Sequence, residues 1–124
     1  MVQKLYTVRE AQAVLDGLRP IIEDVITVRA DTAELGAALQ RGVNSPLGGL
    51  PELKAYQAHL DELLSQVTAE ELQVKGIAPL LLDFPAELDG EQVLLCWLEG
   101  DTELAWYHRL DAGFAGRRRL PADA

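Results

Sequence analysis

Apolar positions return along this chain at two different spacings, and the change between them divides it. As far as about Glu71 they recur every three or four residues; from Leu80 they gather into short runs separated by turn-forming residues. The first spacing belongs to helices with one buried face, the second to strands. Thr7-Val8-Arg9-Glu10 is a capping box, in which each side chain reaches the other residue's amide, and it predicts a helix start. Val8, Ala11, Leu15 and Leu18 continue at helical spacing. Pro20 lacks an N–H and crowds the preceding turn, so a kink is expected there, or a break with Pro20 opening a second helix. Beyond it Ile21, Val25, Val28, Thr32, Leu35 and Leu39 mark one seam, and Gly42 is placed to stop it.

Residues 42–50 read as a loop by composition, and Pro51 suits the first turn of the next helix. Leu53, Tyr56, Leu60, Leu63 and Val67 then form a seam predicted to run to about Glu71. At a rise of ~1.5 Å per residue, Pro20 to Arg41 spans about 32 Å and Pro51 to Glu71 about 30 Å, which suits an antiparallel hairpin. Two helices enclose little core, so their seams call for a sheet or a second copy as cover, and self-association into a four-helix bundle is expected.

The strand-rich part begins with Leu80-Leu81-Leu82-Asp83-Phe84. Asp89-Gly90 is a hairpin-turn signal, and Glu91 to Leu98 is apolar on both alternating faces, as in a central strand covered on both sides. After a turn at Glu99–Thr102, Glu103 to Arg109 supplies a third strand. The expected class is α+β: a kinked N-terminal helix and a helical hairpin, followed by a three-stranded antiparallel sheet. There is no internal repeat. The whole, residues 1–124, reads as a single domain with a helical part over about 7–71 and a strand-rich part over about 80–120.

Charge narrows the partners. Eleven Lys and Arg against twenty Asp and Glu leave a net charge of −9, which argues against broad binding to nucleic acid phosphates. The basic residues nevertheless concentrate in Arg117-Arg118-Arg119, a knot suited to a small anion or an acidic partner surface. No run approaches the length of a membrane span, the N-terminus lacks a secretory pattern, and Cys96 is the single cysteine; these features predict a cytoplasmic protein without an internal disulfide.

Several stretches together carry a family likeness: Leu5-Tyr6-Thr7-Val8-Arg9-Glu10-Ala11, Asp83-Phe84-Pro85-Ala86, Leu95-Cys96-Trp97, and His108 through Leu120. In these the chain resembles the bacterial domain-of-unknown-function family 2203 over nearly its whole length. The Leu110-Asp111-Ala112-Gly113-Phe114-Ala115-Gly116-Arg117-Arg118 run is the most specific part. Tyr107 stands where the family pattern has Trp, and Arg119 where it has Pro. The resemblance implies a fold and leaves the activity open.

The candidate chemistry lies in the same C-terminal third. His108 with Asp111, and Asp83 on a neighbouring stretch, would suit a general base or a metal site. The bland alternative is a structural histidine, with the Asp111 carboxylate closing the turn at Gly113. His59 with Asp61 and Glu62 lacks the order used by di-metal bundles. Arg117 and Arg118 beside Gly113 and Gly116 are the best ligand candidates, since guanidinium forks grip carboxylate or phosphate; pairing with the acids of the helices, or of a second subunit, is the alternative. Cys96, mid-strand among large apolar residues, reads as a small hydrophobe with no metal partner in sequence. Ser45 and Ser65 sit in no nucleophile motif, Gly48-Gly49 is not a phosphate loop, and no motif names a cofactor. Trp97, Trp106, Tyr107 and Phe114 read as sheet packing rather than as a pocket.

The residues thus point to a binding or interaction module that self-associates as a homodimer, with Asp83, His108, Asp111, Arg117 and Arg118 as candidate site. The alternative is a small metal-assisted or acid/base enzyme using His108 with Asp83 and Asp111.

Overall fold

The computed structural model describes residues 3–124. Its first helix, α1 (Val8–Arg41), is opened by the capping box: Thr7 N donates to Glu10 Oε1 at 2.9 Å and Glu10 N to Thr7 Oγ1 at 3.1 Å. The Thr7 backbone N–H foremost, with the Thr7 side chain, holds the Glu10 carboxyl below its ordinary pKa. The helix does not break at Pro20, so the two helical elements expected on either side of it are one, 34 residues long. The reason lies in its buried stripe. Ala11, Leu15, Leu18, Ile22 and Val25 are all buried, at spacings of four, three, four and three, while Pro20 faces solvent. Packing on both sides of the proline outweighs its missing hydrogen bond.

The stripe passes through Ile22 and Ala38 rather than the expected Ile21 and Leu39; Leu39 is exposed. Gly42 ends α1 in a Schellman motif, with Gly42 N bonded to Leu39 O, Val43 N to Ala38 O, and a φ of 69° that favours glycine. The second helix, α2 (Leu50–Thr68), completes the hairpin. Leu63 and Val67 are buried in its predicted seam, and Leu53, Tyr56 and Leu60 are half-buried. It stops at Thr68 rather than Glu71 because Glu71 turns left-handed, φ 61°, and Leu72 leaves the helix direction to enter the core.

The described residues fall into two compact units: Leu18–Val67, which holds most of the hairpin, and the chain up to Gly17 together with everything from Thr68 onward. The second of these contains a five-stranded antiparallel sheet in sequence order: β1 (Gln73–Ile77), β2 (Leu80–Leu88), β3 (Glu91–Leu98), β4 (Trp106–Arg109) and β5 (Arg118–Arg119). The meander is as expected, but the three predicted strands are its centre. β1 and the two-residue β5 flank them, and β4 starts at Trp106 because Leu104 N is drawn to Gln12 Oε1 instead of a strand.

Pro85 is tolerated inside β2. Its carbonyl accepts from Tyr6 N on the side away from β3, beyond the residues that β1 pairs. Leu82 to Ala86 and Val93 to Trp97 are buried without interruption, as a central strand pair covered on both faces requires. Phe84 meets Tyr6 edge-on with centroids 5.4 Å apart. No helix among the described residues is long and apolar enough to cross a membrane.

Candidate functional site

Register decides which side chains share a face. The Asp89-Gly90 turn, with positive φ at both residues, pairs Leu88 with Glu91 and, by counting back, Asp83 with Cys96. In the next hairpin Cys96 pairs with Trp106 and Leu94 with His108. Asp83, Leu94, Cys96, Trp106 and His108 therefore lie on one face, and Phe84, Val93, Leu95, Trp97 and Tyr107 on the other.

Three polar side chains meet in the middle of the first face. Asp83, Cys96 and His108 are all buried, and each offers a ligand-type atom within 4.8 Å of the other two. His108 Nδ1 lies 2.8 Å from the Arg109 carbonyl, which can only accept, so this nitrogen carries a hydrogen. Nε2 lies 3.1 Å from Asp83 Oδ2. Since a carboxylate oxygen and a bare ring nitrogen would both be acceptors, one further hydrogen is held between them. The other carboxylate oxygen, Asp83 Oδ1, is buried and accepts no hydrogen bond of ordinary geometry among the described residues. Burial pushes the Cys96 thiol pKa up to about 11, the Asp83 charge adds to the rise, and the Arg117 guanidinium opposes it.

The segment after β4 reaches back over this face. A 3-10 turn, Phe114–Gly116, delivers Arg117, whose Nη1 donates to Asp101 Oδ2 at 3.1 Å. The guanidinium lies 4.6 Å from the Trp106 ring centroid and 4.8 Å from that of Phe114. Gly116 has no room for a side chain, since a Cβ there would stand 2.8 Å from Ala112 Cβ. Asp101 is itself fixed, accepting from Leu98 N through Oδ2 and from Trp97 Nε1 through its carbonyl.

Of the expected site residues, Asp83 and His108 are thus brought together and Arg117 is placed nearby. Asp111 is not. It is exposed, and the turn there is closed by Ala112 N bonding Arg109 O, so it neither orients His108 nor closes the turn through its carboxylate. Arg118 is exposed too, paired through its backbone with Tyr107 and so directed to the opposite face. Arg117 meets an acid as the alternative foresaw, though on a sheet turn rather than a helix. Trp97 packs in the core, while Trp106 and Phe114 instead hold Arg117. His59 is exposed on α2.

Cys96 is the residue that sequence reasoning missed. Its partner was encoded in the Asp89-Gly90 turn, because a two-residue hairpin fixes the register that sets Cys96 against Asp83. Two surface grooves lie elsewhere. One of about 420 Å³ is lined by Glu87, Asp89, Arg109 and Asp123, and another of about 430 Å³ by Lys4, Tyr6 and Glu70 among others.

Fold and cluster together define a class: an α+β protein of helical hairpin and antiparallel meander, carrying a mixed sulfur, nitrogen and oxygen cluster at the centre of its sheet. Residues 4–120 match the family model described as Uncharacterized conserved protein (DUF2203), and the chain belongs to that family. No curated protein and no solved structure matches it.

Proposed function

We propose that this DUF2203 protein is a non-catalytic binding module whose ligand seat is the sheet face around Asp83, Cys96 and His108, roofed by Phe114 to Arg117. The observation that carries this is the buried Asp83 carboxylate with one oxygen unpartnered. Leaving a buried polar atom unsatisfied costs about 1–3 kcal/mol, more for a charged group, and a ligand that engages it removes that cost. Arg117 is a less suitable anion grip, because its guanidinium is already engaged by Asp101 and two rings.

An enzyme using His108 is the second reading, favoured by the Asp83–His108 contact. Against it, both ring nitrogens are engaged and the imidazole is 3% exposed, whereas a general base must reach its substrate's proton. Self-association belongs to the same proposal, supported by Leu39, Val43 and Leu50, which are exposed near the loop end of the hairpin. A free buried thiol suits a reducing, cytoplasmic setting.

Thermal denaturation with separate additions of zinc, cobalt, manganese and methylammonium, each able to engage a carboxylate, tests the module. A ligand that binds only the folded state raises the melting temperature. At least one of these probes is expected to stabilise the wild type and to leave Asp83→Asn unmoved. Equal behaviour of the two proteins with every probe would make the cluster a purely structural polar core.

A further inference from the structure

We infer that Asp83, Cys96 and His108 form a three-ligand site for a divalent transition-metal ion of the zinc type, the ion taking the place of hydrogens now held among the three side chains. This rests on the binding-module reading and names its ligand.

The donor set comes first. A thiol sulfur, an imidazole nitrogen and a carboxylate oxygen together suit a borderline-soft ion; calcium and magnesium prefer oxygen alone. Distance agrees. Around a tetrahedral zinc, with bonds of about 2.0–2.3 Å, donor atoms stand roughly 3.3–3.8 Å apart. The three atoms here lie within 4.8 Å of one another, and the Asp83–His108 pair at 3.1 Å needs only a slight opening. All three project from adjacent strands at the centre of a sheet, which holds donors more rigidly than loops do.

The orientation of His108 is the more specific sign. Metal-bound histidines generally donate their other ring N–H to a carbonyl or carboxylate, which fixes the ring and the tautomer. Nδ1 of His108 does this with the Arg109 carbonyl, leaving Nε2 directed at the cluster. The unpartnered Asp83 Oδ1 offers a second oxygen on the same carboxylate.

Charge then selects the oxidation state. With one hydrogen between Asp83 and His108 and one on the Cys96 sulfur, the three side chains together are neutral. Replacing both hydrogens by M²⁺ gives neutral imidazole, carboxylate, thiolate and ion, again neutral, with two protons released to solvent. A buried site resists any other exchange, since burying net charge is costly. Arg117, balanced by Asp101, then stands near the sulfur without being one of the metal's ligands.

The test is a titration of the chelator-treated, full-length protein with cobalt(II), monitored by absorption. One cobalt per chain is expected, with the visible bands of a tetrahedral ion and a thiolate-to-cobalt charge-transfer band, all displaced by zinc. Cys96→Ala should remove the charge-transfer band and weaken binding on the order of 100-fold, and His108→Gln should weaken it comparably. Asp111→Ala, remote from the cluster, should bind as the wild type does. Absence of cobalt binding at millimolar metal, or an unchanged spectrum in Cys96→Ala, overturns the assignment. If cobalt fails while methylammonium stabilises the wild type but not Asp83→Asn, the module survives and the metal does not.

Discussion

Cys96 shows how a residue's surroundings decide its chemistry. In a strand it would pass as a small hydrophobe, yet it stands opposite a buried carboxylate and beside a guanidinium. Its thiol pKa is raised from 9.0 to about 11, so the unfolded chain loses this proton at lower pH than the folded one. The stabilising contribution is therefore complete below pH 9 and fades as pH climbs through 11. Two units correspond to at most about 3 kcal/mol. Denaturant melts between pH 8 and about pH 11 should show the wild type losing more stability than Cys96→Ala, whose loss reports the other groups alone; parallel losses would contradict the shift. The Asp83–Cys96 half of the cluster was encoded in the register set by the Asp89-Gly90 turn, but the large apolar neighbours of Cys96 made it read as a small hydrophobe. His108 was legible as a partner for Asp83 from residue type; its place opposite Leu94 was not, because the turn at Glu99–Thr102 is followed by three more residues before β4 and leaves that strand's register open.

At the scale of elements, α1 shows tertiary packing prevailing over a local rule. Pro20 predicts an interruption, but the buried stripe from Ala11 to Val25 runs through it. Pro20→Ala should restore a backbone hydrogen bond and raise stability by roughly 1–3 kcal/mol, less whatever the freer unfolded chain regains. Chemical denaturation reads this directly, and a destabilised variant would mean that the proline's geometry is required. The hairpin seams, the Gly42 stop and the central strands follow from periodicity and turn chemistry. The flanking strands do not. β1 contains Lys75 and Gly76 with a register shift between Val74 and Gly76, which hides its alternation. β5 is two arginines, whose strand character comes wholly from pairing with Trp106 and Tyr107.

Across the whole molecule, the basic knot divides between the interior and the sheet edge. Arg117 is drawn inward to Asp101 and the rings, while Arg118 and Arg119 sit exposed on the last strand of the sheet. Charge on so short an edge strand discourages pairing with another chain's edge. The other edge, β1, is blunted by its irregularity and Lys75. Association through the sheet is thereby disfavoured, which directs the proposed dimer to the exposed apolar residues of the hairpin. Light scattering should give a dimer mass for the wild type and a monomer for a Val43→Asp, Leu50→Asp variant; a monomeric wild type would remove self-association from the proposal.

The Asp89-Gly90 turn also bears on time. Hairpins joined by two residues close within about 1–10 μs, and contacts close in sequence form at little entropic cost. Asp83 and Cys96 are therefore expected to face one another as soon as β2 meets β3, whereas His108 must wait for the longer connection to β4. Pulse-labelled hydrogen exchange during refolding should find Phe84 and Leu95 protected ahead of Tyr107 and His108. Under that order of assembly the cluster is unfinished until β4 docks, and its last donor to arrive is the histidine.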